Sequence, residues 1–155
     1  MFKTTLFLLA LLSGINVVAQ SNKEDVDFIQ SIYGKQKKEV VAEFVKLEGA
    51  QSDAFWKLYD EYETKRKTLG QKRVALLERY ANNYTNMDDA TTDQITRDMV
   101  GLGAETDKLI GTYYKKMKKE STVKAAAQFV QIETYLLSKV RVSIFESIPV
   151  IGQLK

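Results

Sequence analysis

Between Ser52 and Tyr84 the residues Phe55, Leu58, Tyr59, Tyr62, Leu69, Leu76, Leu77, Tyr80 and Tyr84 recur at steps of three and four, with no proline in the run. This spacing places them on one stripe of a single helix, and at 1.5 Å rise per residue the run makes a rod of about 50 Å. A rod of that length has to bury its stripe against helices of comparable length. The chain is thereby restricted to a helical hairpin or bundle.

The flanking sequence supplies such partners. Asn82, Asn83, Asn86 and the pair Asp88-Asp89 make a turn, and Thr91 or Thr92 can cap the helix that follows. Its stripe is Ile95, Met99, Leu102, Leu109, Ile110, Tyr113 and Met117, and the lysines from 115 to 119 suit its negative C-terminal end. Ser121 or Thr122 can cap a last helix on Ala126, Phe129, Val130, Leu136, Leu137, Val140 and Ile144, with Pro149, the only proline, just beyond it. Ahead of the rod, Ile29, Ile32, Tyr33, Gln36, Val40, Phe44 and Leu47 mark another stripe, weakened by Gly34. The expected helices cover 23–47, 52–84, 92–118 and 122–146, the last three being antiparallel neighbours. The fold class is all-α, a long-helix hairpin or bundle of three to four helices. Two arrangements stay open, a closed four-helix core and an open cradle completed by a homodimer.

The N-terminus has a different character. Lys3, the apolar run Leu6 to Leu12 and the ending Val17-Val18-Ala19 form the pattern of a secretory signal, with cleavage expected after Ala19. The apolar run is too short to span about 30 Å of hydrocarbon, and Ser13, Gly14 and Asn16 interrupt it, so no integral membrane anchor is expected. Removing the first 19 of 155 residues leaves 136, the size of one domain, and the scattered glycines mark no linker. Without cysteine there is neither a lipid-bearing residue nor a disulfide. The expected location is the periplasm.

Charge and residue inventory exclude several functions. Lys3 is one of 23 basic residues against 20 acids, so the mature chain carries about +2, too near balance for a nucleic-acid binder. Histidine and cysteine are both absent, which removes the usual nucleophile and base pairs and structural zinc sites. Asp60 with Glu61 or Glu63 is the best carboxylate pair, but it reads as a solvated helix face. Asp88, Asp89 and Asp93 lack the central glycine and closing glutamate of a calcium loop, and the methionines form no copper cluster. No enzyme activity, cofactor or metal is expected.

Projection at 100° per residue puts Arg66 and Arg73 inside the apolar stripe of the rod and Glu133 near the centre of the final helix's stripe. In an up-down-up arrangement these charges fall at similar heights. Glu133 is expected to pair with Arg66 or Arg73, as a register-fixing ion pair or with the arginines lining a partner-binding surface.

At the entrance to the rod stand Leu47-Glu48-Gly49-Ala50-Gln51 and then Phe55-Trp56-Lys57-Leu58-Tyr59, and the next helix opens on Ala90-Thr91-Thr92-Asp93-Gln94. The first pattern resembles the Leu-Thr-x-x-Gln motif of the Spy/CpxP family of periplasmic stress proteins, with Glu48 in place of threonine. The second is a weaker echo, with alanine for leucine. Leu47, Gln51, Thr91 and Gln94 are the positions that match, and the resemblance covers roughly residues 37–143. It implies a small all-helical protein, often a dimer shaped as a curved cradle. Some members bind unfolded envelope proteins without ATP, while others restrain a stress-sensing kinase or bind metal. The metal-binding branch has no histidine to draw on here.

The leading expectation is an ATP-independent periplasmic chaperone or envelope-stress adaptor that binds exposed apolar segments of unfolded or partly folded proteins. The alternative is a dedicated interaction protein, a regulator of an envelope sensor or a structural oligomer. Candidate contact residues are Trp56, Arg66, Arg73 and Val74 on the rod, with Tyr113 and Tyr114 on the next helix; Trp56 and Tyr113 are also core candidates. A third expectation, lipid binding through residues 144–154, is opposed by Pro149 and Gly152, which suit a tail packed back on the bundle.

Overall fold

The structure is a computed structural model and describes residues 37–153. The expected signal segment and the first part of the expected helix 23–47 lie outside the described residues. Four helices follow in order: α1 over residues 37–44, α2 Gly49–Asn83, α3 Asp89–Glu120 and α4 Val123–Ser147, with a 3₁₀ turn Tyr84–Asn86 between α2 and α3. The protein is all-α, with no strand among the described residues. Helix α3 packs against both α2 and α4, giving an up-down-up set of long rods.

Local chemistry explains the boundaries. Residues 45–48 leave the helical conformation and Gly49, at φ +57°, turns the chain into α2, so the rod starts three residues before the expected Ser52. Helix α3 begins at Asp89 because the Asp88 carboxylate, and not Thr91 or Thr92, accepts the hydrogen bond of the cap, from the Thr91 amide at 2.8 Å. Thr122 caps α4 by accepting from the Ala125 amide at 3.1 Å. Beyond α4 the chain folds back on α2. The Tyr80 hydroxyl donates to the Pro149 carbonyl at 2.6 Å, and that of Tyr84 to the Val150 carbonyl at 2.8 Å.

The interior divides into two cores. The larger, at the N-terminal ends of α2 and α4, holds Val41 of α1 and Val45 just beyond it with Phe55, Tyr59, Tyr62, Ile110, Tyr113, Met117, Ala125, Ala126 and Phe129. The smaller, at the other end, holds Leu76, Tyr80, Ile95 and Leu102, with Ile148 of the tail against it. The inward track of α1 and the residue after it differs from expectation by one position. Lys37, Val41 and Val45 face inward, whereas Phe44 is 57% exposed. A charged residue, Lys37, occupies the inward track, and that is why apolar periodicity selected the neighbouring one.

Candidate functional site

The polar centre of the larger core is assembled from three helices. The Lys37 ammonium of α1, 5% exposed, donates to Glu63 Oε1 of α2 and Glu133 Oε2 of α4, both at 2.6 Å. The Tyr62 hydroxyl donates to the same Glu133 oxygen at 2.6 Å. Arg66 grips Glu63 with a fork, Nε to Oε1 and Nη2 to Oε2, each at 2.9 Å. Glu133 therefore pairs with Lys37, and the expected bond to Arg66 or Arg73 is not made. Glu63 lies one turn from Arg66 on the same helix and takes its guanidinium, while α1 places a cation nearer to Glu133.

These neighbours shift the titrations. Burial by itself raises the Glu63 carboxyl, but the hydrogen bond from Arg66 and the charge of Lys37 outweigh it and hold the group below its ordinary 4.5. Burial lowers Arg66, and its bonds to Glu63 more than compensate. The Tyr59 and Tyr62 phenols are pushed far above their ordinary value of 10.0, first by burial and then by the adjacent carboxylates.

Arg73 stands apart. It is half-buried, two turns beyond Arg66, and makes no ion pair among the described residues. Burial and the like charges of Arg141 and Arg66 lower its pKa, opposed by Asp107. Asp107 is itself bound to Arg141 at 3.2 Å.

The other expected contact residues do not gather on one surface. Tyr113 is fully buried, and Tyr114 is half-buried against the larger core. Trp56 is also half-buried, its ring 5.1 Å from that of Phe55 and 5.5 Å from that of Tyr59, with the Lys38 ammonium 5.5 Å above it. It borders an open depression of about 440 Å³ shared with Ala42, Val45 and Leu47. Val74 is half-buried along α2. Of the motif positions, Leu47 packs on the larger core and the carbonyl of exposed Gln51 accepts from the Ser121 hydroxyl at 2.9 Å. Thr91 supplies the capped amide of α3, and the Gln94 amide donates to Asp98 at 3.0 Å.

Helical periodicity did not single out Val142, although the expected lipid-binding segment 144–154 contains the exposed residues that follow it. Val142 and Phe145 point outward from the end of α4, with Phe145 76% exposed, and Val150 and Ile151 are exposed just beyond Pro149. Tyr135, two turns before Val142, is exposed as well, with the Lys139 ammonium 5.6 Å from its ring. The signal was present in the sequence: the end of α4 is apolar on two faces, and one stripe accounts for only one of them.

No family model, curated protein or solved structure matches the chain. Among the described residues no helix is long and apolar enough to cross a membrane.

Proposed function

We propose that the protein is an exported, ATP-independent binding protein of chaperone or envelope-stress adaptor type, which holds apolar segments of unfolded or partly folded proteins. One observation carries the reading: Val142 and Phe145, three residues apart on α4 and so neighbours on its surface, are both exposed, and Val150 and Ile151 just beyond the helix are exposed as well. Single exposed apolar residues need no explanation, but a cluster of large ones marks a contact surface. The secretory pattern at residues 1–19 supports an envelope location. The lack of histidine and cysteine favours binding over catalysis. Without a phosphate-binding loop, release of a bound segment would follow its own folding and need no nucleotide cycle.

The test is light scattering from a chemically unfolded protein, with the purified chain added at near-equal molar ratio and no ATP. Suppression of aggregation is expected, and Val142→Ser with Phe145→Ser should abolish most of it while leaving the helical signal intact, since both side chains are exposed. A folded chain that suppresses nothing at several-fold excess would reject client binding. The reading would then pass to a regulator of an envelope sensor or a structural oligomer.

A further inference from the structure

Helix α1 is seated on two helices, and its contacts show what the seat selects. Lys37 bonds to Glu63 of α2 and Glu133 of α4, Lys38 reaches Asp60 of α2 at 2.5 Å, and the Phe44 carbonyl accepts from Gln128 of α4 at 2.9 Å. The floor is aromatic. The Lys37 ammonium lies 5.9 Å from the centre of the Tyr59 ring and 5.3 Å from that of Tyr62, and the Lys38 ammonium stands over Trp56. Between residues 37 and 45 only Lys37, Val41 and Val45 are buried, at steps of four.

Three observations mark α1 as a removable cover. A buried ion pair is close to balance against its hydration, so the two valines supply most of the hold, and the chain entropy of ordering a short helix opposes them. Gly49, at φ +57°, ends the hinge formed by residues 45–48, and beside that hinge lies the open depression of about 440 Å³ lined by Val45, Leu47 and Trp56. Glu133 Oε1 is buried and accepts no hydrogen bond among the described residues, so Lys37 leaves part of this carboxylate unused. Without α1 the seat presents three carboxylates, Asp60, Glu63 and Glu133, of which Arg66 binds Glu63.

We propose that this seat is a binding site for a second helix of the same chemistry, a segment with a lysine or arginine followed at four-residue steps by aliphatic side chains, and that α1 is the cover it displaces. An arginine suits the position better than a lysine, because its fork can engage both oxygens of Glu133. That a client protein brings the segment rests on the client-binding reading; the seat itself does not. Trp56 and Arg66 thereby belong to a contact surface, one that is covered while α1 is docked.

The probe is a fluorescent synthetic peptide of residues 37–48, titrated into the full chain and followed by anisotropy. The chain has no cysteine, so Lys38→Cys with Asp60→Cys lets a cleavable bifunctional thiol reagent tie α1 to α2 across this exposed pair. The tie should weaken peptide binding about tenfold or more, and its cleavage should restore it. Val41→Ser in the chain should strengthen binding about tenfold, since it loosens the cover and leaves the seat intact, whereas a merely damaged fold would weaken it. In the peptide, Lys37→Gln should weaken binding about tenfold, and Lys37→Arg should match or exceed the parent. No binding to any form, binding indifferent to the tie, or equal binding of the glutamine peptide would overturn the proposal. Peptide binding by a chain that suppresses no aggregation would uphold the seat and reject the client-binding reading, so the two failures separate.

Discussion

The two ends of the bundle are built from the same three long helices but differ in how they are closed. At the end where α1 sits, eleven residues are buried in one cluster and its polar centre joins two cations, two carboxylates and a phenol. At the end where α4 finishes, the buried cluster has four residues, Arg73 is unpaired among the described residues, and Val142 and Phe145 face outward. The contrast shows what a fourth helix contributes: it covers apolar surface and also supplies the cation that makes a buried carboxylate tolerable. Among the described residues, the short helix that carries Lys37 is what distinguishes the larger core from the smaller one.

The largest effect should come from breaking the polar centre. Glu133→Ala leaves Lys37 buried with only Glu63, and leaves the Tyr62 hydroxyl without an acceptor. Unfolding by urea should report a loss of about 3–5 kcal/mol. Replacing both partners, Lys37→Met with Glu133→Leu, should recover much of that loss, since burial of an ion pair is itself costly. At the open end Leu76→Ala should cost only about 2 kcal/mol, the low side of the range for leucine deletions, because its neighbours can settle around it. Equal losses at both ends would remove the distinction between them.

The closed end should also set the response to pH. In the unfolded chain Tyr59 and Tyr62 ionise near 10.0, while in the folded chain they stay neutral to much higher pH. Their contribution is complete below pH 10 and should fall above it, by about 1.4 kcal/mol per phenol for each pH unit. Glu63 acts in the opposite sense. Its folded value lies below 4.5, so its contribution is complete above that pH and is lost as the pH falls through the lower folded value. Chemical denaturation at pH 9 and 11, with Tyr59→Phe and Tyr62→Phe as controls, checks the alkaline arm. A stability that does not change between them would contradict the burial of the phenols.

How much of this could be read from the sequence follows from what each feature depends on. The three long rods were legible because their apolar residues keep helical period over many turns, and Thr122 because a cap is local chemistry. Glu133 was recognisable as a charge inside a stripe, since projection needs only its own helix. Its partner was not, because the choice between Lys37 and Arg66 depends on how α1 is seated and on Glu63 capturing Arg66 first. Trp56 and Tyr114 were ambiguous for a related reason: they sit at the edge of a stripe, where exposure is decided by the neighbouring helix. Phe145 fell within the apolar segment 144–154 noted in the sequence, but Val142 and the outward face they share were not singled out, because a helix that is apolar on two faces gives no single stripe to read.

The smallest expected effect is also the finest test of the closed core, because it compares two tyrosines one turn apart. Tyr62 donates its hydroxyl hydrogen to the Glu133 carboxylate at 2.6 Å, a bond to a charged acceptor inside the protein. The Tyr59 hydroxyl is equally buried and has no hydrogen-bond partner among the described residues. Tyr62→Phe should therefore cost about 1.5–3 kcal/mol, the range for hydrogen bonds to charged groups. Tyr59→Phe removes an unpaired polar atom and keeps the ring that packs against Phe129, so its effect should lie between zero and about 1 kcal/mol of added stability. The two substitutions delete the same atom from the same residue type, and any difference in their urea midpoints isolates the hydrogen bond from the packing. Equal losses would mean that Tyr59 has a partner in solution and that the polar centre extends a turn further along α2.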